Sequence, residues 1–245
     1  MKLLFLIAIP LYAQSTFFVS SFLPGDDWLP TKDDSLISWY ENPYDNTLWS
    51  DSANSNDLTL YNTPTINEDS LNEQNTITFD GVDQAGQAIF TLETPFTIII
   101  VFRSITWTNI DYMYDGGSVN KSHALQNQAV GGTMYYQGSW TGTGNSPNVG
   151  TNVGLTYYQN WFILTTTYIG AGSTVRLNEQ AVGTSPTGTF TSGTGDALGF
   201  TVGSRGDLVA NYSNIEVAAV IITHATIDLT LFRHRRYLNK IFQVY

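Results

Sequence analysis

Cysteine is missing from all 245 residues, so no disulfide framework can hold the fold, and the redox compartment is left open. A sandwich of this length needs none, because it buries a sizeable core. Charge is scarce as well: Asp, Glu, Lys and Arg make up 13% of the chain, with 10 basic residues against 21 acidic ones and a net charge of −11. Binding a phosphate backbone needs clustered Lys and Arg, so nucleic acid is excluded as an expected partner. Long apolar runs are lacking. The N-terminal one, Leu3 to Ala13 behind Lys2, is too short to span a bilayer, so no membrane span is expected. It fits a secretory signal cut after Ala13 or an apolar assembly arm. Neither a repeat of fixed period nor a linker to a second domain is present. Residues 1–33 are therefore read as this segment and a lead-in, and residues 34–245 as one β-sandwich.

What the chain does contain is strand. From Asn75 to Arg103, β-branched and aromatic residues lie between turn residues, with no helical period. Thr76, Thr78 and Asp80 alternate with Ile77 and Phe79, and Asp80-Gly81 then suits a turn at which the chain doubles back. A short strand is expected over Gln87 to Leu92. The near-continuous apolar run Phe96 to Phe102 suits a central strand covered on both faces.

FDGVDQ (Phe79 to Gln84) followed by PFTIIIVFR (Pro95 to Arg103) resembles the concanavalin A-like, laminin-G-like jelly rolls, of the kind found in bacteriophage virion proteins and secreted adhesins. The likeness extends over about residues 34–242. It takes in the opening Trp49, Asp51, Ala53, Asn54, Asn56, Asp57 and Leu58, the hairpin from Trp161-Phe162 to Asn178, the strand Gly199 to Ser204 and the closing strand Asn214 to Ile222. It implies an all-β, two-sheet antiparallel β-sandwich of jelly-roll type. The Asn and Asp side chains of the opening are expected to bond nearby backbone rather than a metal. At the C-terminus, Arg233-His234-Arg235-Arg236 among Leu231, Phe232, Tyr237, Leu238 and Ile241 reads as a short amphipathic helix with its charges in solvent.

Between Ser104 and Asn160 the chain is loop-rich and aromatic. Trp107, Tyr112, Tyr114, Tyr135, Tyr136 and Trp140 are the candidate carbohydrate-binding residues, because such rings stack on sugar C–H faces while Asn, Gln and Asp bond the hydroxyls. Trp140, among glycine, serine and threonine, is expected to be exposed; Trp161, before an apolar strand, is expected in the core. Two glycine-rich stretches, Gly142 to Gly154 and Ser185 to Asp196, read as surface loops.

Jelly rolls of this kind include glycanases and lyases, so the catalytic reading is tested residue by residue. The E-x-D-x-x-E strand of retaining glycanases is absent, and Glu68-Asp69 with Glu73 lacks its alternation. The Arg-Glu-Arg strand of alginate lyases is absent too. His123, His224 and His234 have no carboxylate at the spacing of a triad or metal cage. The expectation is that the chain is not an enzyme and has no cofactor. Calcium is the one metal considered, with Asp83, Asp115, Asp196 and Asp207 as candidate ligands. Arg205-Gly206-Asp207 reads as a hairpin turn rather than an integrin motif.

The expected function is non-catalytic glycan binding or attachment, outside a cell or on a virion surface. A glycan or cell-surface polysaccharide is the expected partner, together with further copies of the chain or other virion proteins. A purely structural virion protein is the alternative, and a secreted polysaccharide-degrading enzyme the second alternative.

Overall fold

The computed structural model describes residues 28–106, 108, 110–118, 121–128, 134–141, 149–152, 159–169, 174–178, 180–184 and 197–245. The chain order is β1 (Leu36–Glu41), β2 (Leu48–Trp49), β3 (Leu58–Tyr61), β4 (Thr65–Leu71), β5 (Gln74–Asp80), β6 (Ala85–Ala88), β7 (Phe96–Ser104), β8 (Tyr112–Asp115), β9 (Lys121–Gln128), β10 (Met134–Thr141), β11 (Val149–Asn152), β12 (Phe162–Tyr168), β13 (Thr174–Leu177), β14 (Gln180–Thr184), β15 (Phe200–Val202), β16 (Asn214–Thr223) and one helix, α1 (Asp228–Phe242). The first sheet runs β14-β13-β12-β7-β16-β5-β4, with β1 also on β16; the second runs β11-β10-β9-β8-β15-β6-β3-β2. The result is the two-sheet antiparallel β-sandwich with a short C-terminal helix expected from the sequence, the sandwich from the family resemblance and the helix from the spacing of its apolar residues.

The apolar run Phe96 to Phe102 is β7, held between β12 and β16. Both of its faces are covered, which is why its sequence does not alternate. One set of side chains, with Ile98, Ile100 and Phe102, meets Phe79, Phe162, Phe200, Val217 and Trp49 between the sheets. The other, with Ile99 and Val101, meets Trp39, Ile163, Ala219 and Ile221 on the outer face, where α1 lays down Leu231, Leu238 and Phe242. Burying each such large side chain contributes roughly 1.5–3 kcal/mol.

Three local expectations change. The turn at Asp80-Gly81 carries the chain from one sheet to the other rather than back along its partner, since β5 and β6 lie in different sheets. Gly81 takes φ +76° there, and a Cβ would lie 2.9 Å from the Asn214 backbone nitrogen. The strand expected over Gln87 to Leu92 is β6, ending at Ala88, because its partner β15 runs out at the Phe200–Ala88 pair. The charges on α1 do not all face solvent. Leu231, His234, Arg235, Leu238 and Phe242 are its buried residues, spaced at the three- and four-residue steps of one helical face, so two of the four expected surface charges are inside.

Candidate functional site

An open cleft of about 570 Å³ lies between Tyr44, Asp45 and Asn46 on one wall and Thr63, Pro64, Thr65 and Ile66 on the other. It sits at the margin of the sandwich, where β4 is the last strand of the first sheet and β2 and β3 end the second. Both walls are set by local chemistry. On the first, the Thr47 backbone N–H and hydroxyl both donate to Asp45 Oδ1 at 2.7 Å, an Asx turn that fixes the loop. Asn75 ties this loop to β5: its side-chain amide donates to the Pro43 carbonyl at 3.0 Å and its N–H to Asn42 Oδ1 at 3.2 Å. On the second wall, Asn62 and Thr63 both take positive φ, +57° and +52°. For a β-branched threonine this is a strained conformation. Gln84 holds it there, its amide donating to the carbonyls of both Asn62 and Thr63 at 3.3 Å.

The chemistry of the lining is polar with one aromatic ring. Tyr44 is 76% exposed, the most of any large hydrophobic side chain among the described residues. Its hydroxyl lies 3.5 Å from Ser50 Oγ. The Thr47 hydroxyl, reinforced by the Thr47 amide, holds the Asp45 carboxyl below its ordinary range, so it is an anion and an acceptor at neutral pH. A pinned loop with an open ring, a carboxylate and amide and hydroxyl groups can stack on a sugar ring and bond its hydroxyls.

A second polar constellation lies on the outer face of the first sheet. Glu216 is 2% exposed. Its Oε1 accepts from the Ser70 hydroxyl at 2.8 Å, from Asn67 Nδ2 at 3.1 Å and from the Thr76 hydroxyl. Its Oε2 accepts from Arg103 Nε at 2.7 Å and Nη2 at 2.6 Å. The Arg103 guanidinium stands over the Trp161 ring at 5.3 Å. Trp161 is thus half-buried beside Arg103, packed against the outer core cluster rather than between the sheets, because it precedes β12 at the position facing the outer layer.

The residues singled out as sugar binders are not gathered here. Tyr114 is fully buried, its ring 5.8 Å from Phe200 and its hydroxyl 3.1 Å from that of Tyr168. Burial pushes the Tyr114 hydroxyl above its ordinary range, as it does for Tyr112, raised to about 12. Tyr112 is 7% exposed. Neither ring offers a face to a ligand: Tyr114 packs in the core between the sheets and Tyr112 is almost wholly buried. Tyr135, Tyr136 and Trp140 fall on β10, which is described in backbone only, and Trp107 lies outside the described residues.

The calcium candidates are separated in role. Asp83 is in an exposed turn, Asp207 is paired with Arg205, and Asp196 lies outside the described residues. Asp115 is buried, its oxygens accepting from the N–H groups of Gly116 at 2.8 Å and Gly206 at 2.9 Å. Among the described residues no group of three or more His, Cys, Asp or Glu is placed to hold a metal ion. The Asn and Asp of the opening motif bond the backbone: Asp51 Oδ1 accepts from the N–H groups of Trp39 and Ala53 at 2.8 and 2.9 Å. In Arg205-Gly206-Asp207 the charged ends close on each other at 2.6 Å.

No family model matches the chain, and no curated protein matches it. Its fold is similar to that of solved structures. Trypanosoma rangeli sialidase in complex with sialic acid matches with a TM-score of 0.57 at 14% identity, over 84% of this chain and 33% of the sialidase. Domain 4 of AbnA, an extracellular GH43 arabinanase from Geobacillus stearothermophilus, in complex with arabinotriose, matches with a TM-score of 0.60 at 12% identity, over 82% of this chain and 98% of that domain. A structure of botulinum neurotoxin type C, whose cell entry depends on interaction with two ganglioside molecules, matches with a TM-score of 0.57 at 13% identity, over 86% of this chain and 51% of the solved toxin chain. The chain thus spans about a third of the length of the sialidases it matches.

These neighbours overturn the expectation that the chain is not an enzyme. Part of the sialidase chain, a third of its length, shares this fold, and one such sialidase was solved as a covalent intermediate. The exclusion rested on missing carboxylate pairs and triads, and the absence of such patterns from a sequence does not exclude an activity.

Tyr44, Asp45, Asn46, Thr63 and Thr65 were not among the sequence-based candidates. The signal is present in Asn42-Pro43-Tyr44-Asp45-Asn46, an aromatic residue among turn formers, the same pattern that singled out Trp140.

Proposed function

We propose that the chain is a carbohydrate-recognising β-sandwich of the concanavalin A-like, laminin-G-like kind that seats a sugar in the cleft beside Tyr44. One observation carries the reading: a tyrosine ring 76% exposed on a loop held by side-chain hydrogen bonds, facing a polar wall whose backbone is strained and pinned. Preorganised walls bind without a further ordering penalty, which suits weak ligands such as sugars. The neighbours solved with sialic acid and arabinotriose support the same class of ligand. The low charge content and polar-aromatic loops support action outside a cell or on a virion surface, in attachment to a glycan-bearing partner.

The test is binding of the full chain to an immobilised glycan panel, with product release monitored in the same samples. Tyr44→Ala is expected to lower affinity about two- to ten-fold, the scale of one lost stacking contact of about 0.5–1.5 kcal/mol. Its melting temperature should stay unchanged, because the ring is exposed. Binding of unchanged affinity in Tyr44→Ala would remove the cleft from the proposal.

A further inference from the structure

We propose that the cleft selects uncharged sugars and excludes acidic ones, an inference that rests on the carbohydrate reading above. None of the lining residues is Lys, Arg or His. The one charge in the lining is the Asp45 carboxylate, partly exposed and held ionised by the Thr47 hydroxyl and amide. Such a carboxylate accepts from two neighbouring sugar hydroxyls at once, and these charge-assisted bonds are stronger than those between neutral groups. It repels the carboxylate of a sialic or uronic acid seated in the same place.

No arginine on the adjoining elements offsets this repulsion. Thr65 pairs with Thr78, Thr78 with Glu216, and Glu216 with Arg103, so Arg103 is three strands away, about 14 Å at the usual strand spacing. Its charge is matched by Glu216 at 2.6 Å. Arg205 is matched by Asp207 at 2.6 Å. On the cleft's own edge strand, Glu68 and Asp69 are exposed acids, and the whole chain carries −11. The field over the cleft is negative. That sets its ligand class apart from the sialic acid and gangliosides of two of the neighbours.

Matched probes test this directly: lactose against sialyllactose, and methyl-esterified oligogalacturonide against its free acid, titrated into the full chain by calorimetry. The neutral member of a pair is expected to bind at least about ten-fold tighter in about 10 mM salt, and the gap should shrink in about 1 M salt, where the Debye length falls from about 30 to about 3 Å. Asp45→Asn keeps an oxygen acceptor for Thr47, so the loop should persist while the discrimination narrows. An acidic member binding as tightly as its neutral partner, with that binding weakened in Tyr44→Ala, would overturn the charge selection and leave the cleft as the sugar site. Failure of every probe, and of a wider panel of neutral oligosaccharides, would overturn both readings.

Discussion

Asp33 shows how much a single carboxylate can organise. Its Oδ2 accepts from the Thr223 hydroxyl at 2.7 Å and lies 2.8 Å from His234 Nε2, while its Oδ1 accepts from the Ser35 hydroxyl at 2.5 Å and the Ser35 N–H at 3.0 Å. Trp28 closes over the His234 ring edge-on at 4.7 Å. The lead-in, the end of β16 and α1 thus meet on one group. Burial alone would raise the Asp33 carboxyl; hydrogen bonds from His234, Ser35 and Thr223 outweigh it and hold the group well below the usual carboxylate range. The folded value lies below the unfolded value of about 3.9, so the stability that Asp33 contributes is complete well above pH 4 and is lost as pH falls toward the folded value. Asp33→Asn should therefore differ from the parent most at pH 7, and the gap should narrow by about 1 kcal/mol at pH 3. Urea unfolding at the two pH values measures it, and a gap independent of pH would contradict the assignment. Glu216 is the other organising carboxylate. Removing one partner of a buried pair costs about 3–5 kcal/mol, and less here, because Arg103 remains 39% exposed to solvent.

At the scale of the element, α1 is held by its buried face rather than by its ends. Its N-cap is Ile227, with φ −80° and ψ 128° and no side-chain cap hydrogen bond. Ile227 is 71% exposed, so little packing is lost on replacing it. An aspartate there would accept from a free N–H of the first turn and favour the positive end of the helix dipole. Ile227→Asp is expected to stabilise the protein by about 1 kcal/mol, which raises the melting temperature by roughly 2–4 °C for a chain of this size. A thermal melt checks it, and a lower midpoint would show that Ile227 packs in a way its exposure does not reveal. The C-terminal end is already capped: Gln243 takes φ +51° and its N–H donates to the Asn239 carbonyl at 2.9 Å.

For the whole molecule the arrangement is three layers: second sheet, first sheet, helix. The first sheet is apolar on both faces, so it cannot stand with one face in water. A chain ending at Thr226 would uncover Ile99, Val101, Ile163 and Ile221 together. It is expected to aggregate or to bind a hydrophobic dye strongly, and a soluble truncated protein with unchanged dye binding would show that the outer layer is dispensable. The cleft lies away from that layer, at the open margin where the two sheets end, and there side chains of the loops rather than of the core supply the chemistry.

By itself the sequence determined the all-β class, the central position of β7 and the presence of a C-terminal helix. Each is written in a local pattern: alternation, a doubly covered apolar run, and apolar residues three and four apart. The Asx-rich opening was legible for the same reason, since Asp51 and Asn56 bond backbone close to them in the chain or on the neighbouring strand. Tertiary structure alone decided which aromatic rings face solvent. Tyr114 and Tyr44 both have polar residues beside them in the chain, yet one is packed in the core between the sheets and the other is left open on a loop. It also decided that His234 and Arg235 turn inward while Arg236 stays at the surface, because rotation about the helix axis is set by the sheet beneath it. The cleft belongs to the same class of fact: its two walls lie about 20 residues apart in the chain and meet only because β2 and β3 lead one edge of the sandwich back against β4.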